Sequence, residues 1–451
     1  MEETNILASQ FHTPSLLRFA LPNIFMMVFL SLYTIVDGMF ISRFVGTLAL
    51  SAVNMSYPLT CLEMAVGIML ASGGSAITAR KLGEGRAEEA RQDFTAIVTV
   101  SASIGVLFLL LGNLFLHPIL RLLDTSAAQW ADCQVYTRIL LFFAPGLFLQ
   151  TAFQALFVTA GKPLLGLSTT IAGGLANIVL DWFLMGTVQM GVGGAAIATG
   201  ISYCIPAVFG LVYFARNRTG SLWFTRFHLN FRLLLAACGN GSSEMVTNVA
   251  NAVTTFLFNM LFLHYWGEDG VAAITIVMYF QFVFTAVFFG FSLGVAPVIS
   301  YKYGAQDAEQ LHRIFHICLR FVLACSLGAY LLSRAVIGPC LSLFTPAGSA
   351  VYEVALNGFP IYAVSFLLMG VSIFASSFFT ALSDGLVSAV ISFARTLFFL
   401  VGMLLLLPYL LGEVGLWLAV PTAEGLGILV SIGFLIWGRK KYPYGAPKKE
   451  F

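Results

Sequence analysis

Charge is what this sequence has least of. Only 10% of its 451 residues are Asp, Glu, Lys or Arg, while 59% are hydrophobic. Soluble domains carry about 25% charged residues, so this chain cannot hold a folded surface in water. The formal balance of +2 is too small to suggest a nucleic-acid partner. Cysteine chemistry is also missing. Cys61, Cys133, Cys204, Cys238, Cys318, Cys325 and Cys340 are scattered, make no CxxC or metal spacing, and read as small packing residues. No HExxH or Cys/His cluster stands in the apolar runs. A membrane-embedded enzyme needs such a set, so the reading is not an enzyme. The first apolar run is too long for a signal-peptide core and lacks a basic lead-in, so no cleavable signal is expected.

What is present is a series of apolar runs of bilayer-crossing length, with mean hydropathy +0.90. We read about twelve spans: 16–41, 48–75, 94–116, 135–158, 164–185, 191–214, 231–263, 271–299, 314–332, 354–381, 386–411 and 414–437. The fold class is therefore an all-α polytopic membrane protein. Basic residues set its orientation. Arg80, Lys81, Arg86, Arg91, Lys162, Arg216, Arg218, Arg226, Arg232, Lys302 and Arg313 fall in alternate connections. They share a side with Arg439, Lys440, Lys441, Lys448 and Lys449 of the tail, whereas the opposite loops hold only Arg43, Arg121, Arg138 and Arg334. By the positive-inside rule both termini are cytoplasmic, as expected of a multi-pass protein of the plasma (inner) membrane.

The sequence repeats itself at a shift of about 221 residues. Gly46 meets Gly267, Ala65-Val66 meets Ala286-Val287, Gly73 meets Gly294, Lys81-Leu82-Gly83 meets Lys302-Tyr303-Gly304, and Thr159-Ala160 meets Thr380-Ala381. An even number of spans separates equivalent points, so the halves cross in the same direction and place substrate between them near mid-membrane. The organisation expected is a six-helix bundle over 1–215, a linker over 216–230, a second bundle over 231–438 and a basic tail over 439–451.

Against this background the few buried acids stand out. A carboxylate at mid-membrane costs roughly 2.5–3.5 kcal/mol even on a lenient scale, so it must face a cavity or the protein interior. Asp37 lies in the first span. Asn177 and Asp181 lie one helical turn apart in the fifth, and Thr199 follows the glycines at 191, 193 and 194 in the sixth. Two carboxylates, an amide and a hydroxyl suit Na⁺ or a shared proton, and no basic residue is placed to neutralise them. Glu63 is central in the second span and either lines the cavity or packs. Glu244 in the seventh is either a contact for a cationic substrate or an interfacial acid. Asp384 reads as a turn residue in Ser383-Asp384-Gly385. Arg395 and Glu424 read as a buried pair joining the last two spans. Tyr33, Met260, Met278, Tyr279 and Phe288 are candidates for a pocket that holds flat cations through cation–π contact. His312 and His316 share a helix face but have no third ligand nearby, so no metal is expected. Pro22 and Pro145 are expected kinks, and a bend at Pro22 would let ion binding at Asp37 change the first span's shape.

Taken together, Pro22 with Asp37, Gly73-Gly74 before Arg80-Lys81-Leu82-Gly83, Thr159-Ala160-Gly161-Lys162-Pro163, Asn177 with Asp181 and Gly186, and Gly193-Gly194-Ala195 before Thr199 resemble the MATE (multidrug and toxic compound extrusion) family. Asp181 resembles its MepA-like and DinF-like branches. The resemblance implies two six-helix bundles in a V, opening alternately to either side. It implies export of small lipophilic, often cationic, drug-like compounds in exchange for Na⁺ or H⁺, with Asp37, Asn177, Asp181 and Thr199 as the cation site. No other cofactor is implied, the surrounding partner is membrane lipid, and the working unit is a monomer. The other reading within this fold is a flippase for a lipid-linked oligosaccharide. Its pyrophosphate calls for several buried Arg or Lys, and Arg395 is an intramembrane base of that kind, outnumbered here by the acids.

Overall fold

The computed structural model of the chain describes residues 6–122, 129–227 and 230–445, and among these it is helical with no strand. Hydrocarbon offers the backbone no hydrogen-bond partners, so each apolar run must satisfy its own N–H and C=O groups as a helix. The first half contains Thr13–Phe44, Thr47–Gly83 and Ala87–Leu114. A fourth span follows, made of Trp130–Phe142 and Ala144–Thr159 bent by 53°. The fifth is Pro163–Asp181 continuing into a π-helical turn at Trp182–Thr187, and the sixth is Gly191–Arg216.

The second half opens with a helical stretch, Phe231–Gly304, of 74 residues. At 1.5 Å per residue that is about 110 Å, several times the roughly 30 Å hydrocarbon core. It breaks at Gly267, where φ 63 and ψ −148 suit only glycine, and so makes the seventh and eighth spans. Ala308–Phe344 is the ninth. Ala350–Tyr362 with Ser365–Ala381, bent by 55°, is the tenth. The eleventh, from Gly385 to Leu411, carries a second π-helical turn at Ala394–Phe399, and Glu413–Lys441 is the twelfth. With Gly267 dividing one stretch and each bent pair crossing once, the described residues form twelve spans.

Several helices outrun their apolar runs. The second reaches Gly83, the eighth Gly304 and the twelfth Lys441. Arg80 and Lys81, Lys302, and Arg439 to Lys441 lie in those last turns, where a cation meets the negative end of the helix dipole and continues the helix past the hydrocarbon. The first span runs through Pro22 as one unbroken helix. The fourth bends beside Pro145, at Phe143. Lys448 and Lys449 lie outside the described residues.

The halves meet at the end of the molecule that carries the termini. A methyl group at Gly83 would overlap the Tyr301 carbonyl oxygen, and one at Gly304 would overlap that of Arg80. Gly73 and Gly241 are buried in the same way against Ala237 and Met69. The Asn23 amide donates to the Gly290 carbonyl at 2.9 Å, and the Cys61 thiol donates to that of Asn248 at 3.4 Å. The segment before the first span lies on the second half, where Lys302 Nζ donates to the Ala8 carbonyl at 3.1 Å and Phe11 N–H donates to Gln310 at 3.0 Å. These contacts between the halves all lie towards that end, while towards the other Leu32, Met39, Tyr57, Phe256 and Met260 are exposed.

Candidate functional site

The fifth span brings the first-half residues together. Pro163 opens it at a position where a missing N–H is harmless. Gly173 then packs against the Ser202 carbonyl of the sixth span, and Gly174 against the Phe29 ring of the first. That close approach is why three spans deliver side chains to one place. Asn177 and Asp181 point the same way from successive turns, and both are fully buried. The Asn177 amide lies 3.5 Å from the Thr199 hydroxyl. Asp37 reaches across from the first span, and its carboxyl stands close enough to that of Asp181 for the two to interact electrostatically. The π-helical turn begins directly after Asp181, and such widened turns occur frequently at functional sites.

The cluster is rich in acceptors and poor in donors. Asp37 Oδ1, Asn177 Oδ1 and both oxygens of Asp181 are buried without a hydrogen-bond partner. Among the described residues no Lys, Arg or His pairs with either acid. Two carboxylates this close in low dielectric repel, and a proton or a metal cation between them relieves the repulsion. Oxygen donors of this kind suit a hard cation. Tyr33, Tyr136 and Tyr203 stand within electrostatic range of the acids, and Glu63 within range of Tyr203. Glu63 is buried, and its Oε1 has no partner. Sequence reasoning missed Tyr136 and Tyr203, which come from the fourth and sixth spans. An aromatic residue in an apolar run carries no signal of its own.

The second half is built differently. Arg395, on its π-helical turn, donates from Nε to both Glu424 oxygens at 2.9 Å. Glu244 is buried nearby, within electrostatic range of Arg395. Asp384 caps the helix that starts at Gly385, accepting from Val387 N–H at 3.3 Å, from Lys441 Nζ at 2.9 Å and from the Tyr442 hydroxyl. Partial burial raises its carboxyl pKa, but the bonds from Tyr442 and Lys441 outweigh this and hold it below the usual carboxylate range. Of the aromatic and methionine candidates only Tyr33 joins the acids. Phe288 is buried against Gly370 in the second half's core, Met278 packs on that core, and Met260 and Tyr279 are exposed elsewhere. His312 bonds the Tyr444 carbonyl and His316 that of His312. No metal-ligand cluster occurs among the described residues.

A duplicated twelve-span bundle whose halves meet at one end, with unpaired acids inside, defines a polytopic membrane transporter. The comparisons name the family. The MatE family model matches residues 22–183 and again residues 245–405, one match in each half. The chain belongs to the MATE family of transporters. The probable multidrug resistance protein YoeA of Bacillus subtilis is 24% identical over 450 residues, covering 95% of this chain and 94% of its own. The multidrug export protein MepA of Staphylococcus aureus is 20% identical over 422 residues, covering 93% and 92%. Among solved structures, a multidrug resistance MATE family transporter of the MOP superfamily in an outward-facing conformation superposes with TM-score 0.90. It has 20% identity and covers 98% of each chain.

Proposed function

We propose that this protein exports small lipophilic, cationic drug-like compounds across the inner membrane in exchange for Na⁺ or H⁺. Both termini then lie in the cytoplasm. The coupling cation binds among Asp37, Asn177, Asp181 and Thr199. The observation that carries the reading is the pair of facing carboxyls with no basic partner. The resident cation offsets their repulsion, and a cationic substrate competes for the same negative field. Binding of one therefore discourages binding of the other, which is the minimum that exchange requires. The names of YoeA and MepA support drug-like cargo. In this reading the end that carries the termini is the cytoplasmic gate, closed here, so the parted end faces outward.

The test is efflux of ethidium from cells expressing the chain. Asp37→Asn and Asp181→Asn should each lower the rate by about tenfold or more, since each removes the charge of a buried ion contact worth at least 1.4 kcal/mol. Full efflux in both variants would sink the site. Inverted vesicles given a Na⁺ gradient or a pH gradient separately identify the coupling ion.

A further inference from the structure

The second half holds a cavity that the coupling site does not use. It is a slot of about 30 Å³ lined by Asn251, Thr254, Gln281, Arg395, Thr396 and Glu424. A cavity needs only about 10–15 Å³ of such space to hold one water, so the slot admits the oxygens of one small polar group while the rest of a guest stays outside. Arg395 is only 8% exposed. Its Nε is engaged by Glu424, while among the described residues its two Nη groups have no hydrogen-bond partner. Gln281 accepts from the Tyr362 hydroxyl through Oε1, which leaves its amide N–H₂ free to donate. The slot therefore presents a guanidinium fork and an amide donor to whatever enters. A fork of that shape matches a carboxylate with two parallel bonds.

A charge count sorts the possible guests. Arg395 and Glu424 neutralise each other. A simple anion would add an uncompensated charge beside Glu424 and Glu244, and a simple cation would leave the fork unused. A zwitterion meets both demands, with its carboxylate on the Nη groups and no net charge added, while Glu244, within electrostatic range of Arg395, favours a positive group nearby. One lining residue is exposed near the opposite half. Asn251, the exposed lining residue, sits one turn beyond Asn248, whose carbonyl still accepts from Cys61 of the opposite half. The slot's exposed residue is thus one helical turn from a contact between the halves.

We propose that this slot is a carboxylate-recognition subsite, with Arg395 and Gln281 as its donors, through which the transporter takes zwitterionic substrates from the cleft between its halves. For transport itself this rests on the export reading above. The test compares a zwitterionic rhodamine bearing a free carboxylate with its ethyl ester, a permanent cation of nearly the same shape, as efflux substrates of the full chain. The paired variant Arg395→Gln/Glu424→Gln removes the fork and its counter-charge together, so no unpaired charge stays buried. It should lower export of the carboxylate dye by about tenfold or more, the scale of a lost charge-assisted contact, and leave the ester's rate nearly unchanged. Gln281→Leu keeps the ion pair, so it serves if the paired variant fails to reach the membrane, and it should show the same selectivity to a smaller degree. Equal export of the carboxylate dye by wild type and variants overturns the subsite. So does equal loss of both dyes in a folded variant. Wild-type export of the ester alone overturns the subsite and leaves the export reading standing. If wild type moves neither dye, the export reading fails and the subsite with it.

Discussion

Arg395 and Asp181 show two ways of living with a charge in oil. Arg395 is matched by Glu424 at 2.9 Å, and the pair is buried on both sides. Desolvating two charges costs several kcal/mol each, and their attraction repays it only while both are present. Arg395→Gln alone should therefore destabilise the protein by about 3–5 kcal/mol, whereas the paired Arg395→Gln/Glu424→Gln should stay near wild type. Thermal unfolding in detergent measures the difference, and a single variant as stable as the double would show that water, and not protein, solvates the pair. Asp181 has no such partner, and both of its oxygens are unsatisfied. That contrast was legible in the sequence. An acid within an apolar run is conspicuous, and Asn177 one turn before it fixes the face. The lateral neighbours Tyr136 and Tyr203 were not legible. They come from other spans, and nothing in their local sequence separates a site-facing ring from a lipid-facing one. Phe288 makes the same point in reverse, since a pocket candidate by type proves to be core.

Helices repeat between the halves more faithfully than charges do. The fourth and tenth spans bend by 53° and 55° at corresponding points, and the fifth and eleventh each carry a π-helical turn. Long apolar runs made the spans themselves readable. The π-helical turns had no sequence signature, because a widened turn depends on what packs beside it. Span ends were misjudged where basic residues prolong the helix, as at Arg80 and Lys302. The tail shows how an element's end is fixed. Tyr444 is buried between Phe315 and Phe378, with ring centroids 4.9 Å from each, and His312 holds its carbonyl. Lys441 and Tyr442 close on Asp384. A carboxyl held below its ordinary pKa of 3.8 contributes stability above that value and loses it as pH falls through the lower folded value. The tail clasp should therefore hold across the neutral range and release only in strong acid. Asp384→Asn should loosen it across the neutral range. Anisotropy of a dye on Pro447→Cys reports both, and a clasp that opens near pH 6 would contradict this account.

At the scale of the whole molecule the closed end is a seam of backbone against backbone. Gly83 faces the Tyr301 carbonyl while Gly304 faces that of Arg80, and the internal repeat carries each of these contacts onto the other. The pseudo-symmetry noted in the sequence is thus an interface as well as a duplication. Glycine permits the contact because a helix without Cβ atoms lets a neighbour approach to backbone distance, where dispersion acts over many atom pairs at once. A seam built this way closes in one register and is lost abruptly when the helices separate, as a two-state gate requires. Gly83→Ala and Gly304→Ala put a methyl group where a carbonyl oxygen now sits. Neither partner can retreat, since both are main chain, so each variant should shift the protein towards the conformation parted at this end. Spin labels at Glu88→Cys and Glu309→Cys, exposed positions that the repeat also superposes, report the separation directly. Wild type should give a short-distance population that the glycine variants deplete in favour of a longer one, with slower efflux in the same cells. An unchanged distance distribution in both variants would mean that the seam does not hold the gate.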